Sequence, residues 1–275
     1  MQDIPLFPQL EQFLGYFQAI KERSPLTIRE YRYDLVLFFR FMQLHRGQAK
    51  KGTTLQEIDI SSIDEAYLRA VRLTDFYAYL TWLSRERCCG PATRARKTAS
   101  LRAFFHYLKN KAFVLEENPA LELESPKQLR QLPRHLSLEE SRQLLDTAAD
   151  TDDPRSSRDV CILTFFLNCG LRLAELCSID LSDIRGDTLV VMGKGGKERT
   201  IYLNGACLDA LDDWLAERPQ AGLADPDALF VSRLRQRISP KTVQYLLKKY
   251  LLSAGLDPRR YSVHKLRHTA ATLMY

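Results

Sequence analysis

Three separate segments of this chain place cationic and imidazole side chains where they could act on an anion. In CGLRLAEL, Arg172 stands three residues before Glu175, and in HKLRH, His264 stands three residues before Arg267. Side chains three apart lie on one face of a helix, so we expect each pair to act together. A buried arginine needs an acidic partner, and Glu175 is placed to hold Arg172. Between the two pairs, the glycine-rich segment 193–197 (GKGGK) offers two lysines that can approach a phosphate closely.

This combination suits a phosphodiester reaction that needs no metal ion. Two guanidiniums can hold the nonbridging oxygens of a phosphate and stabilise the charge of the transition state. A lysine can protonate the leaving oxygen, and a histidine can assist proton transfer. His264 and His268 have the four-residue spacing of a zinc pair, but Lys265 stands where such sites have a glutamate. We therefore predict neither a metal site nor a cofactor, and we expect His268 to be a structural histidine.

The distribution of charge predicts contact with nucleic acid. The 275 residues include 40 Lys and Arg against 34 Asp and Glu, which gives a net charge of +6. Basic residues concentrate between residues 85 and 111, where Glu86 is the acidic residue. A solvated helix face is the alternative, but such faces usually mix both signs, so we favour contact with phosphates. We expect DNA contacts from Arg94, Arg96, Lys97, Lys197 and Arg199.

The first half of the chain is predicted to be helical. Ser24 and Pro25 form a typical helix start, and one helix is expected over about 63–84. The basic helix then follows the break at Gly90-Pro91. The segment 116–133 contains three prolines and few apolar residues, which is typical of an interdomain linker.

The second half is predicted to contain helices and one hairpin. Ser137 and Glu140 form a capping box, and Ser239-Pro240 opens a helix that ends near residue 254. Short β-prone runs at 188–192 and 199–203 flank the glycine-rich turn. The fold class is therefore mainly α with a small β-hairpin or sheet in the second domain. The expected domains are 1–115 and 134–275, joined by the linker 116–133.

Other features exclude several classes of protein. No apolar run approaches the roughly 18 to 20 residues of a membrane span, and the N-terminus MQDIPLFPQL lacks a signal peptide. We therefore expect a cytoplasmic protein. The six cysteines include no CxxC pair, so they predict neither a zinc site nor a disulfide framework.

The order of the motifs resembles the tyrosine recombinase (phage integrase) family, and especially its Xer-like branch. The similarity rests on GLRxxEL, a GKGxKER hairpin and HxLRHTxAT, together with the linker motifs NPA, SPK and LPRHLSLEE and the start SPLTIREYRYDL. It implies a two-domain clamp in which a helical, SAM-like core-binding domain precedes the catalytic domain. It also implies that Arg172, His264 and Arg267 are catalytic, that Glu175 supports Arg172, and that Lys194, rather than Lys197, is the general acid.

The resemblance further implies the reaction. In this family a tyrosine attacks a scissile phosphate, giving a 3′-phosphotyrosyl link and a free 5′-hydroxyl, and no ATP is needed for religation. Strand exchange passes through a Holliday junction in a tetramer on two DNA sites. Chromosome-dimer resolution, integration of an element and inversion all stay open as the biological task.

The nucleophile is the point at which the sequence departs from the family pattern. Members continue beyond HTAAT with an LGHxS-type motif and then the tyrosine, whereas this sequence stops at Tyr275. We expect Tyr275 to be an apolar residue of the helix that carries Arg267, not the nucleophile, so the supplied chain is expected to bind DNA without cleaving it. A recombinase that lacks its C-terminal segment and a non-catalytic DNA-binding protein on the same scaffold are both compatible. The core-binding domain and linker argue against a type IB topoisomerase.

Overall fold

The computed structural model describes residues 4–50, 52–127, 135–193 and 196–273, and the chain divides into two compact units. Unit 1 is Met1–Arg130 and unit 2 is Gln131–Tyr275. In these described residues the chain is mainly α-helical, with one three-stranded antiparallel sheet in unit 2. The predicted fold class is confirmed. The predicted linker spans the division, and its residues 128–133 lie outside the described residues.

Unit 1 is helical throughout its described elements. Its helices are α1 (Pro8–Ala19), α2 (Pro25–His45), α3 (Glu65–Arg69), α4 (Leu73–Arg85) and α5 (Pro91–Asn110). Ser24 caps α2, because its hydroxyl accepts a hydrogen bond from the backbone N–H of Thr27 at 3.3 Å. The basic helix α5 begins with Pro91 after Gly90, as predicted.

The prediction of one helix over 63–84 is wrong, because two helices occupy this region. Asp64 caps α3 by accepting a hydrogen bond from the N–H of Tyr67 at 2.8 Å. α3 ends at Arg69, and the carboxylate of Asp75 then accepts a hydrogen bond from the N–H of Arg72 at 2.9 Å. This bond satisfies the first free N–H of a new helix, so α4 starts separately.

An aromatic core holds the helices of unit 1 together. Phe38 and Phe39 of α2 and Phe104 and Phe105 of α5 are fully buried. Phe39 and Phe104 meet edge to face with centroids 5.7 Å apart, and Phe76 of α4 contacts Phe105 in the same way at 5.0 Å. These contacts fix the two longest helices of the unit to each other and to α4.

Part of the predicted linker belongs to this core. Ala120 and Leu123 are buried among the apolar residues of unit 1. Asn118 turns the chain there, because its side chain accepts a hydrogen bond from the N–H of Ala120 at 3.0 Å. Unit 1 therefore continues beyond the predicted boundary at residue 115, because two apolar side chains suffice to anchor a proline-rich segment.

Unit 2 places its helices around a small sheet. The helices are α6 (Leu138–Ala149), α7 (Ser156–Cys169), α8 (Leu173–Ser178), α9 (Gly205–Glu217), α10 (Pro240–Ser253) and α11 (Val263–Leu273), and the strands are β1 (Ile184–Arg185), β2 (Thr188–Met192) and β3 (Glu198–Tyr202). α7 is apolar on nearly all sides and packs against α6, α9 and α11. A helix that is apolar on nearly all sides is buried, so α7 is the central helix of the unit.

The predicted hairpin and capping box are confirmed. β2 and β3 pair antiparallel with Val191 opposite Arg199, and β1 adds a short strand on the other side of β2 that the sequence did not predict. Ser137 and Glu140 form the predicted reciprocal bonds, at 2.8 and 3.0 Å, at the start of α6. α10 also begins after Ser239, and Ala254 ends it, as predicted.

Candidate active site

The first arginine of the site is positioned by a break between two helices. α7 ends at Cys169, and the next residue, Gly170, has a φ of 57° and a ψ of 38°. This left-handed conformation is one that glycine adopts at little cost. The chain then turns, and Arg172 becomes the N-cap of α8. We predicted that Arg172 and Glu175 share one face of a helix. That prediction is wrong, because Arg172 precedes a new helix and Glu175 lies in its first turn.

Glu175 is the centre of a cluster of arginines. Its side chain is 5% exposed, and it accepts hydrogen bonds from the backbone N–H of Arg172 at 2.8 Å and from Nη1 of Arg172 at 2.5 Å. Arg199 donates two more, from Nη1 to Oε1 and from Nη2 to Oε2, each at 2.8 Å. Burial alone would raise the pKa of Glu175, but these bonds outweigh it and lower the pKa to about 2. Glu175 is therefore ionised at neutral pH and holds both arginines.

Arg267 completes the cluster from α11. Its Nη1 donates a hydrogen bond to the carbonyl oxygen of Gly170 and lies 3.9 Å from Oε2 of Glu175. Burial and the nearby charge of Arg172 lower the pKa of Arg267, although an arginine stays charged at neutral pH. The structure thus brings together Arg172 and Arg267, which lie in two separate sequence motifs.

A buried threonine fixes the helix that carries Arg267. The hydroxyl of Thr269 accepts a hydrogen bond from the N–H of Leu136 at 3.0 Å and donates one to the carbonyl of Lys265 at 3.1 Å. Thr269 is fully buried. The sequence analysis did not identify Thr269, although it is the first threonine of the motif HTAAT.

His264 lies on the wall of a cavity that Arg172 also lines. The cavity has a volume of about 540 Å³, and Lys248, Tyr261 and Ser262 are among its other lining residues. His264 is exposed, and its Nε2 is 3.3 Å from Nε2 of His268. His264 and Arg172 therefore border one cavity.

Lys194, the expected general acid, lies outside the described residues. Tyr275, which we expected to be an apolar helix residue and not the nucleophile, also lies outside them. Lys197, the other lysine of the turn, is exposed, and its carbonyl accepts the N–H of Gly193 at 2.7 Å to close the hairpin.

The expectation that Lys97 contacts DNA is wrong, because its side chain is buried. Its Nζ donates to Oδ1 of Asp34 at 2.7 Å, and its side chain is 4% exposed. Arg96 also binds Asp34, through two hydrogen bonds of 2.6 and 2.9 Å, and the hydroxyl of Ser100 donates to the same carboxylate at 2.8 Å. Asp34 therefore joins α2 to α5 through buried charge, so Lys97 is a structural cation.

Two other expected DNA contacts, Arg94 and Arg199, have hydrogen-bond partners within the protein. Arg94 is half-buried and donates to the hydroxyl of Ser84 through Nη1. Arg199, which we also expected on DNA, directs both Nη atoms at Glu175 instead. Sequence reasoning missed this second partner of Glu175 because the two residues are 24 positions apart in different elements.

The charge of the cluster favours the binding of an anion. Three guanidiniums, those of Arg172, Arg199 and Arg267, face the single carboxylate of Glu175, so positive charge is in excess. Arg172 has its side chain 50% exposed and is the arginine with most access to a ligand. In the described part of the chain, no three His, Cys, Asp or Glu side chains group in a way that could hold a metal ion.

No described helix is long and apolar enough to cross a membrane.

Comparison with family models gives two matches. The model described as the phage integrase family matches residues 134–275, and the model of the phage integrase N-terminal SAM-like domain matches residues 10–112. Together they cover most of the chain and correspond to its two units in order.

The chain is also similar to curated proteins and to solved structures. It is 52% identical over 275 residues to a tyrosine recombinase XerC of Caldanaerobacter subterraneus subsp. tengcongensis, covering 100% of this chain and 77% of that protein. It is 38% identical over 263 residues to the XerC of Alcanivorax borkumensis, covering 94% and 78%. In structure it resembles a XerH recombinase bound to a palindromic difH substrate (TM-score 0.71, 19% identity, 97% of this chain and 73% of the other). A lambda integrase dimer bound to a COC′ core site gives a TM-score of 0.66 at 17% identity, covering 96% and 88%.

Proposed function

This chain belongs to the phage integrase family, in the Xer-like branch of tyrosine recombinases, and we propose that Arg172, Arg267 and His264 bind and activate the scissile phosphate in site-specific DNA recombination. The observation that carries this proposal is the cluster around Glu175. In this cluster Glu175 binds Arg172 directly, and Arg267 lies 3.9 Å from the same carboxylate. Arg172 also lines the cavity that His264 lines.

The reaction is a pair of transesterifications. A tyrosine hydroxyl attacks the phosphorus, so a P–O bond to tyrosine forms while the P–O5′ bond breaks. The tyrosine loses its proton, and the 5′-oxygen gains one, which leaves a 3′-phosphotyrosyl link and a free 5′-hydroxyl. Attack by the 5′-hydroxyl of a partner strand reverses these steps, so the number of phosphodiester bonds is conserved and no ATP is consumed.

The two arginines serve the charge that develops on the phosphate. The guanidiniums of Arg172 and Arg267 donate to the nonbridging oxygens, and they bind more strongly as charge accumulates in the transition state. Glu175 does not touch the phosphate in this scheme, because its carboxylate is buried and already accepts four hydrogen bonds.

Two residues move protons in this scheme. His264 is exposed on the cavity wall and assists the transfer at the attacking or nonbridging oxygen. Lys194, from the turn between β2 and β3, is our candidate for the acid that protonates the 5′-oxygen.

Unit 1 contributes affinity for the DNA backbone. We propose that Arg94 and Lys197 contact phosphates, one from each unit. Arg96 binds Asp34 through Nη1 and Nη2, and its Nη1 also lies 3.2 Å from Oε2 of Glu30, so we propose that it contacts a phosphate only through the rest of its guanidinium. A tetramer on two DNA sites is the proposed assembly, since strand exchange needs four cleavages. We place the protein in the cytoplasm, where its DNA substrate lies.

Covalent trapping tests this function directly. The natural full-length protein is incubated with a nicked duplex that it selects from a random-sequence library, in EDTA and without ATP. The proposal expects a protein–DNA adduct that protease removes, with a free 5′-hydroxyl on the released strand. Cleavage that requires Mg²⁺ and leaves no adduct would overturn it. Binding without any cleavage would favour the non-catalytic DNA-binding protein instead.

A further inference from the structure

We propose that Arg199 is a positioning residue for the reaction, which orients the carboxylate of Glu175 so that it fixes Arg172 against the phosphate. This inference rests on the proposed function of Arg172. It replaces the expectation that Arg199 contacts DNA.

The geometry of the contact is that of a two-pronged ion pair. Nη1 and Nη2 of Arg199 lie 2.8 Å from Oε1 and Oε2 of Glu175 respectively, so the planes of the two groups are matched edge to edge. Such parallel bonds fix orientation as well as distance. The carboxylate then has one remaining direction on each oxygen, and Arg172 takes both through its N–H and its Nη1.

Arg172 depends on this orientation because its side chain is half exposed. Among the described residues, its guanidinium donates its hydrogen bond to Glu175. A rotation of the carboxylate would break the bond to the N–H of Arg172 or the bond to its guanidinium. Arg199 thus supplies the constraint that makes a flexible surface arginine a precise ligand.

Arg199 also keeps Glu175 charged. Burial opposes ionisation of this carboxylate, and the bonds from Arg199 are the largest contribution that favours it, followed by those from Arg172. Arg267, on α11, is the third charged group that faces Glu175, at 3.9 Å. Without Arg199, the pKa of Glu175 rises, and a protonated Glu175 no longer holds Arg172 by charge.

The contact further ties the hairpin to the arginine-bearing turn. Arg199 lies in β3 opposite Val191, one pair from the end of the β2–β3 ladder. Its Nη1 passes 3.9 Å from the position that a side chain on Gly193 would take. The strand that leads out of the lysine-bearing turn is therefore anchored to α8 through Glu175.

The test compares Arg199→Met and Arg199→Lys with a matched control in the natural full-length protein. Arg155→Met is the control, because Arg155 holds Asp153 through two similar hydrogen bonds, of 2.8 and 3.2 Å. Burial raises the pKa of Asp153, but Arg155 and Lys249 together lower it to about 2. It precedes the N-terminal end of α7, whereas Arg172 follows the C-terminal end, about 20 Å away along the helix. The readout is the rate of adduct formation on the nicked duplex between pH 5 and 9, together with DNA affinity.

We expect Arg199→Met to lower the rate roughly 10- to 100-fold at neutral pH, with DNA affinity nearly unchanged. Its rate should fall further toward pH 5, and wild type should show no such additional fall. Arg199→Lys should recover part of the rate, and adding Glu175→Gln to Arg199→Met should cause little further loss. Arg155→Met should keep the wild-type rate and pH profile.

Two results would overturn the inference. If Arg199→Met lowers DNA affinity and its salt dependence but leaves the rate at saturating DNA unchanged, Arg199 is a DNA contact. If Arg199→Met and Arg155→Met lower the rate equally and with the wild-type pH profile, the effect is only structural. Failure of wild type itself to form an adduct would instead count against the proposed function.

Discussion

The carbonyl oxygen of Gly170 accepts a hydrogen bond from Nη1 of Arg267, which joins the end of α7 to α11 across 97 positions of sequence. The left-handed backbone of Gly170 directs this carbonyl. The same turn leads to Arg172 at the start of α8, so one backbone feature positions both arginines of the site.

Gly170→Ala tests this role of the backbone. An alanine here meets Ala270 at 3.7 Å, an ordinary contact, so the change should act through φ and lower the free energy of unfolding by about 1 kcal/mol. The tilted carbonyl should also slow adduct formation. Gly186→Ala is the control, because Gly186 has a similar φ of 61° in the β1–β2 turn. Equal effects of both changes on the rate would contradict the proposed link to Arg267.

Glu175→Gln should destabilise the protein in a pH-dependent way. The folded pKa of Glu175, about 2, lies below the ordinary glutamate value of 4.5, so its stabilising contribution is present above pH 4.5 and is lost as pH falls toward 2. At pH 7 the free energy of unfolding of the variant should be about 2 kcal/mol lower than that of wild type. This difference in stability should become smaller at pH 4 and at pH 3. Urea unfolding at the three pH values measures this.

Asp153→Asn separates that stability effect from function. Asp153 has the same lowered pKa of about 2 through Arg155 and Lys249, although burial alone would raise it. The difference in free energy of unfolding between Asp153→Asn and wild type should therefore also become smaller at low pH. Asp153→Asn should still form the adduct. If the difference in free energy of unfolding between Glu175→Gln and wild type does not change with pH, the charge of Glu175 is not what stabilises the fold.

Asp34→Ala should be among the most destabilising single changes in unit 1. It leaves Lys97 buried without its counter-charge, and breaking a buried pair in this way costs about 3 to 5 kcal/mol. Arg102→Ala, an exposed change on the same helix, should stay within about 0.5 kcal/mol of wild type. Chemical denaturation measures both. A stable Lys97→Met variant with weaker, less salt-dependent DNA binding would restore Lys97 as a phosphate contact.

DNA affinity should fall steeply with salt, because phosphate contacts release bound counterions. Arg94→Ala should weaken binding about equally on all sequences and reduce the slope of log affinity against log salt by about 1. Fluorescence anisotropy between 50 and 200 mM salt on two unrelated duplexes is sufficient. A slope that does not change, or a loss confined to one sequence, would contradict backbone contact by Arg94.

Local patterns predicted the elements of this fold well, but long-range pairing was not predictable from them. Ser24-Pro25, Ser137 with Glu140 and the glycine-rich turn each act within a few residues, so their helices and strands could be predicted. Lys97 and Arg199 looked like free cations because their partners, Asp34 and Glu175, lie in other elements. Basic residues in a helix are predicted to be exposed unless a buried carboxylate is known to contact them.

The same limit applies to the candidate site. The types of Arg172, His264 and Arg267 predicted their chemistry, and the family resemblance predicted their roles. The turn at Gly170 and the anchor at Thr269 set where those side chains point. Both depend on contacts between α7, α11 and the start of α6, which no spacing in the sequence encodes.

The most direct test of the central claim is charge complementation at the scissile phosphate. Replacing that phosphate with a neutral methylphosphonate removes the negative charge that Arg172 and Arg267 are proposed to stabilise. The natural full-length protein, Arg172→Ala and Arg267→Ala are compared for adduct formation on both substrates. On the phosphate, each variant should be slower by roughly 100-fold or more, and on the methylphosphonate the deficit of at least one variant should largely disappear. An equal deficit on both substrates would mean that these arginines do not act on the charge of the phosphate.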